Sequence, residues 1–110
     1  MSQVLPYQDK QLSIDERVQD LLDRMTLEEK IGQMWQMPSY GEAKKWIFEN
    51  HVGSFLHSMG QETNDLQEMA AETRLGIPLI FGIDAIHGHA FWHESTVFPS
   101  QLALSCSWNP

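Results

Sequence analysis

The sequence predicts an α/β fold built on parallel strands, and three observations predict it. Two short runs, residues 52–57 and 79–84, read as strands, the second almost continuously apolar. The stretch between them has the helical spacing of apolar residues, and the joints are short. A strand–helix–strand unit of this kind pairs its strands in parallel, with a right-handed crossover by strong rule. The second run then ends abruptly in a carboxylate, Asp84, ahead of a polar loop that carries His87, His89 and His93. In open α/β sheets ligands bind at the carboxyl ends of strands, so Asp84 is the first residue to suspect of touching a substrate.

The elements follow in order. Residues 1–12 are polar, contain Pro6 and show no period, which predicts an arm. Ser13 and Glu16 stand as a capping box, in which each side chain satisfies the other residue's exposed N–H. Ile14, Val18, Leu21, Leu22 and Met25 then recur at helical spacing. A second capping box, Thr26 with Glu29, opens a helix carrying Leu27, Ile31, Met34 and Trp35 on one side. Pro38, Tyr40 and Gly41 break that pattern. A third helix is predicted over residues 42–49 with Ala43, Trp46 and Ile47 inward, and Asn50 and His51 end it. Residues 58–62 read as a loop and 64–74 as a helix with Leu66, Met69, Ala70 and Thr73 on one face. Gly76 suits its C′ position. Pro78 opens the second strand, whose apolar run predicts burial on both faces. Residues 101–106 predict the start of another helix.

The composition bounds the rest. A chain of 110 residues is enough for one small domain. A complete (β/α)8 barrel needs ~250 residues, so no complete barrel fits. The net charge of −8 argues against a nucleic-acid partner or an anionic membrane surface. No run approaches the ~18 apolar residues of a membrane-spanning helix. Cys106 is the single cysteine, which rules out an intrachain disulfide and predicts a buried small hydrophobe. The first ten residues lack the basic and apolar regions of a signal peptide, which predicts a cytoplasmic protein.

Three stretches resemble a known family. Arg17 and Val18, with Met25-Thr26-Leu27-Glu28-Glu29-Lys30-Ile31-Gly32-Gln33, resemble the opening of the glycoside hydrolase family 3 catalytic barrel. Leu75-Gly76-Ile77-Pro78-Leu79-Ile80-Phe81-Gly82-Ile83-Asp84-Ala85-Ile86-His87-Gly88-His89 resembles that family's second landmark, and Thr96-Val97-Phe98-Pro99 continues it in register. The resemblance covers roughly residues 14–110 and is nearest to bacterial β-glucosidases. It implies the N-terminal portion of a (β/α)8 barrel over residues 13–110, incomplete, with lead-in helices and one βαβ unit. It further implies retaining hydrolysis of terminal β-D-glucosyl residues, which needs no cofactor. In that family an aspartate on the barrel is the nucleophile, and a later domain usually supplies the acid/base carboxylate. Neither motif occurs in these 110 residues. The chain is thus expected to be a fragment that is inactive alone and relies on the remainder of the barrel or on self-association.

From the residues alone, Asp84 is a substrate contact, a cap on the next helix or the partner of a nearby base. The resemblance selects the first. A carboxylate offers two oxygens and about four lone-pair sites, enough to hold adjacent sugar hydroxyls. His87, Phe91 and Trp92 are candidate rim contributors in the loop that follows, with His87 expected to brace the loop and Gly88 to let the backbone turn. His87, His89, His93 and Glu94 also raise a metal site, but no single backbone geometry brings all of them to one point, and no metal is expected. Trp35 and Trp46 sit at core spacing. The expected partner is a β-glucoside or oligosaccharide. A non-catalytic carbohydrate-binding or interaction module and a β-xylosidase parent activity are the alternatives.

Overall fold

A computed structural model describes residues 4–109. A 3-10 turn, Pro6–Gln8, precedes α1 (Ile14–Arg24) and α2 (Leu27–Gln33). Then come β1 (Gln36–Pro38), α3 (Ala43–Phe48), β2 (Ser54–Leu56), α4 (Gln61–Ala71), β3 (Ile80–Gly82) and α5 (Gln101–Ser105). The three strands form one parallel sheet in the order β1-β2-β3, so the α/β class and the strand–helix–strand unit are as the sequence implies.

Both capping boxes form. The Ser13 hydroxyl accepts the N–H of Glu16 while the Glu16 carboxylate accepts that of Ser13, and Thr26 and Glu29 repeat the pattern. The first strand was not legible: Gln36–Pro38 follows the predicted helix directly, where only a break was expected. Its three residues show no alternation of their own and are held by pairing with β2. Helix α4 starts three residues early, on Gly60 at φ +60°, and ends at Ala71, so Gly76 is not its C′ residue although its φ of +59° still demands glycine.

The register explains the core. Met37, Phe55 and Phe81 are partners across the sheet and face the same way. Phe55 is fully buried among Ile47 of α3, Leu66 and Ala70 of α4, Val52 and Leu79. Gln36, Ser54 and Ile80 form the next row on the opposite, open face. Ile80 is 71% exposed there, so β3 is not buried on both faces: it is an edge strand. Trp46 packs on the core as predicted, but Trp35 does not. Helix α2 stops at Gln33, so Trp35 leads into β1 and stands beside Met34 in the open. The apolar side of α2 is likewise exposed, and Glu29 and Gly32 are its buried residues. Cys106 is exposed, because α5 buries none of its residues.

Gly32 is where α2 crosses the segment entering β2. A Cβ there would sit 2.1 Å from the Asn50 carbonyl oxygen, and one on Gly53 would sit 2.3 Å from that of Gln33. The first helices are also tied to the far end of α4. The Tyr7 hydroxyl donates to the Leu75 carbonyl (2.8 Å), and Arg17 Nε donates to the Tyr7 carbonyl (3.0 Å). Arg74 reaches back to both, donating from Nε to Glu29 Oε1 of α2 (2.9 Å) and from Nη2 to Glu29 Oε2 and to the Arg24 carbonyl of α1.

That guanidinium holds the Glu29 carboxyl below the usual carboxylate range. A depressed folded-state pKa adds stability above the unfolded value, ~4.3, and the gain is lost as pH falls through the folded value. The Arg74 side chain is half exposed, so solvent trims the pair's worth. Arg74→Met is expected to lower the urea midpoint at pH 7, since it removes the donor from a buried carboxylate. The gap to the parent should narrow at a pH acid enough to protonate Glu29. A gap in urea midpoints that is the same at both pH values would refute the coupling.

Candidate substrate site at the carboxyl end of the sheet

Because β2 and β3 are parallel neighbours, their carboxyl ends emerge side by side, and the residues that follow them meet. His57 comes straight after β2, and its backbone N–H donates to the Gly82 carbonyl at the end of β3 (2.9 Å). Its φ is +65°, in the left-handed region that few residues other than glycine enter. This turn brings His57 Nε2 to 3.3 Å from Asp84 Oδ2. The Asp84 side chain remains 58% exposed. So the carboxylate is held from one side and open on the other.

The loop after Asp84 folds back on itself. His87 Nδ1 lies 2.7 Å from the Phe98 carbonyl, and the Phe98 N–H donates to the His87 carbonyl. The His89 N–H donates to the Thr96 carbonyl (3.2 Å). Gly88 pairs antiparallel with Val97 at φ +102°, and a Cβ on it would sit 2.3 Å from the Thr96 oxygen. His87 therefore braces the loop, and Gly88 permits the close approach. The braced loop delivers Phe91 onto the His57 ring, with centroids 4.8 Å apart and planes tilted by 40°. Its neighbour Trp92 lies over Gly60, where a Cβ would be 3.0 Å from the indole. On the other flank, Ser39 beyond β1 donates to Glu62 at the start of α4 (2.7 Å).

Of the residues singled out in the sequence, Asp84 and Phe91 converge on one group, His57. Trp92 stands beside them over the β2–α4 joint, while His87 is engaged with its own loop. His93 and Glu94 lie together at the surface, and among the described residues no three His, Cys, Asp or Glu side chains converge as a metal site. His57 is the residue that sequence reasoning missed. In the chain it is only the end of a short strand, and nothing local announces that β3 will set a carboxylate against it.

Chemically, the arrangement offers an accessible carboxylate to accept hydroxyl hydrogen bonds and two half-exposed aromatic rings for the apolar faces of a ring-shaped ligand. No helix among the described residues is long and apolar enough to cross a membrane.

Comparison with known proteins identifies the family. Residues 26–110 match the glycosyl hydrolase family 3 N-terminal domain. The periplasmic β-glucosidase of Salmonella typhimurium is 38% identical over 103 residues, an alignment covering 86% of this chain and 13% of that protein. The periplasmic β-glucosidase/β-xylosidase of Dickeya chrysanthemi is 38% identical over 101 residues, covering 72% of this chain and 15% of that protein. A solved β-glucosidase involved in saponin metabolism, from intestinal bacteria, superposes with a TM-score of 0.62 at 49% identity, covering 86% of this chain and 13% of its own. The chain spans 13–15% of the length of these proteins. The chain therefore belongs to glycoside hydrolase family 3, and residues 26–110 match the N-terminal domain of that family.

Proposed function

We propose that this chain is the substrate-recognising first part of a (β/α)8 barrel that hydrolyses terminal β-D-glucosidic bonds with retention. The observation that carries the reading is Asp84, open to solvent where two parallel strands end, in a chain of this family. A sheet whose strands follow chain order, with a helix in each crossover, supports the barrel assignment. Asp84 holds the hydroxyls of the sugar whose bond is cut, and Phe91 and Trp92 flank it at the rim. Orientation of that sugar is what these residues supply, and orientation is a large part of the rate of such a reaction.

The test is hydrolysis by the full-length gene product. Turnover of p-nitrophenyl β-D-glucoside with release of β-glucose as the first anomer is expected. Failure to cleave any β-glycoside, or release of the α anomer, would overturn the reading. A second reading, β-xylosidase activity, is favoured by the Dickeya chrysanthemi relative, whose name carries both activities. It predicts a higher kcat/KM for the β-D-xyloside.

The 110-residue chain alone is expected to be hydrolytically silent and to self-associate. Ile80 lies on an exposed strand edge, and Met34 and Trp35 form part of an exposed apolar surface. Edges and patches of this kind invite pairing with another chain. A monomer in sedimentation with measurable turnover would sink this expectation.

A further inference from the structure

We propose that His57 is a positioning residue for Asp84: it fixes one carboxylate oxygen so that the rest of the carboxylate meets the sugar in a single orientation. The proposal rests on the reading of Asp84 as the sugar-hydroxyl clamp.

Four observations carry it. The first is the contact itself, Nε2 to Oδ2 at 3.3 Å, across two strands that are neighbours only through tertiary pairing. Nε2 is the ring nitrogen that faces the carboxylate, and a proton on it would make the contact attractive, since a carboxylate only accepts. The second is that His57 is gripped on other sides. Phe91 packs against its ring, and its backbone N–H is bound to Gly82. The third is that His57 Nδ1 is buried without a hydrogen-bond partner among the described residues. A buried ring nitrogen left unsatisfied is a cost that asks for an explanation. The fourth is the backbone, held at φ +65°. A left-handed conformation outside glycine is uncommon and persists where the surroundings impose it. For the backbone alone, glycine would serve better at position 57. The strain and the orphaned nitrogen are both explained if the ring is needed beside Asp84.

The alternative is that the ring only fills space under Phe91, and the two roles separate experimentally. His57→Asn tolerates the left-handed backbone but is too short to reach Asp84. His57→Gln places an amide N–H at nearly the reach of Nε2. In the full-length gene product, His57→Asn is expected to keep Tm, raise KM for p-nitrophenyl β-D-glucoside about ten-fold and change kcat much less. His57→Gln should recover most of the lost KM. Asp84→Asn should lose more, and adding His57→Asn to it should cost nothing further, because the positioned group is already gone.

An unchanged KM in His57→Asn, with Asp84→Asn impaired, overturns the proposal and leaves the Asp84 reading standing. Losses that multiply in the double variant also overturn it, since His57 would then act independently of Asp84. If Asp84→Asn itself is unimpaired, the clamp reading fails, and this inference fails with it.

Discussion

Asp84→Ala is expected to lower kcat/KM for an aryl β-D-glucoside by roughly 10²–10⁴-fold in the full-length gene product. The size follows from what is removed. A carboxylate accepting two sugar hydroxyls makes two charge-assisted hydrogen bonds worth ~1.5–3 kcal/mol each. Each ~1.4 kcal/mol is a factor of ten. Truncation also exposes the penalty of a site built for hydroxyls, whose groups on the substrate then go unmatched. The fold should not feel the change. Asp84 is more than half exposed, and its carboxylate lies beside the His57 ring. The variant should therefore melt within a degree or two of the parent, a difference within the ~0.5 kcal/mol typical of surface substitutions. Unchanged kcat/KM would end the assignment, and a large fall in Tm would show that Asp84 is holding the structure instead.

Phe55→Ala is expected to be the most damaging single change to the fold. Phe55 is fully buried on β2, the one strand paired on both sides, and α3 and α4 both pack onto its cluster. Phenylalanine-to-alanine changes in such a core cost ~3–5 kcal/mol through lost transfer energy and the cavity left behind. A domain of this size has only ~5–15 kcal/mol to lose. The variant should unfold at markedly lower temperature by circular dichroism or fail to accumulate as soluble protein. Phe55→Leu should lose much less, since most of the volume is retained. A parent-like melting temperature for the alanine variant would show that the cluster is not the centre of the core.

Where local chemistry decides the conformation, the sequence was readable. The Ser13–Glu16 and Thr26–Glu29 boxes start their helices where they stand, and Ile47, Leu66 and Ala70 are buried where periodicity puts them. What escaped depends on distant partners. Strand β1 exists because β2 offers it a ladder. Helix α4 begins on Gly60 without a side-chain cap, so no signal marks its start. Trp35 and Cys106 have apolar character, but character alone does not say what lies opposite. The site divides the same way. Asp84 showed itself as a charge ending an apolar run, while His57 acquires meaning only when β2 and β3 lie side by side.

The strand order carries a consequence for how the chain acquires its structure. Each strand pairs with the one before it in the chain, across crossovers of residues 39–53 and 57–79. Every ladder contact therefore spans a whole crossover, and a parallel pairing of this kind forms slowly because the crossover must close before the ladder stabilises it. Assembly can proceed in the direction of synthesis, each crossover helix covering the sheet as its strand is added. The hydrogen bond of longest range among the described residues is that of the Tyr7 hydroxyl to the Leu75 carbonyl, which closes over most of the described chain. It is a latch that can engage only after α4 is made, fastening the beginning of the chain to structure formed long after it.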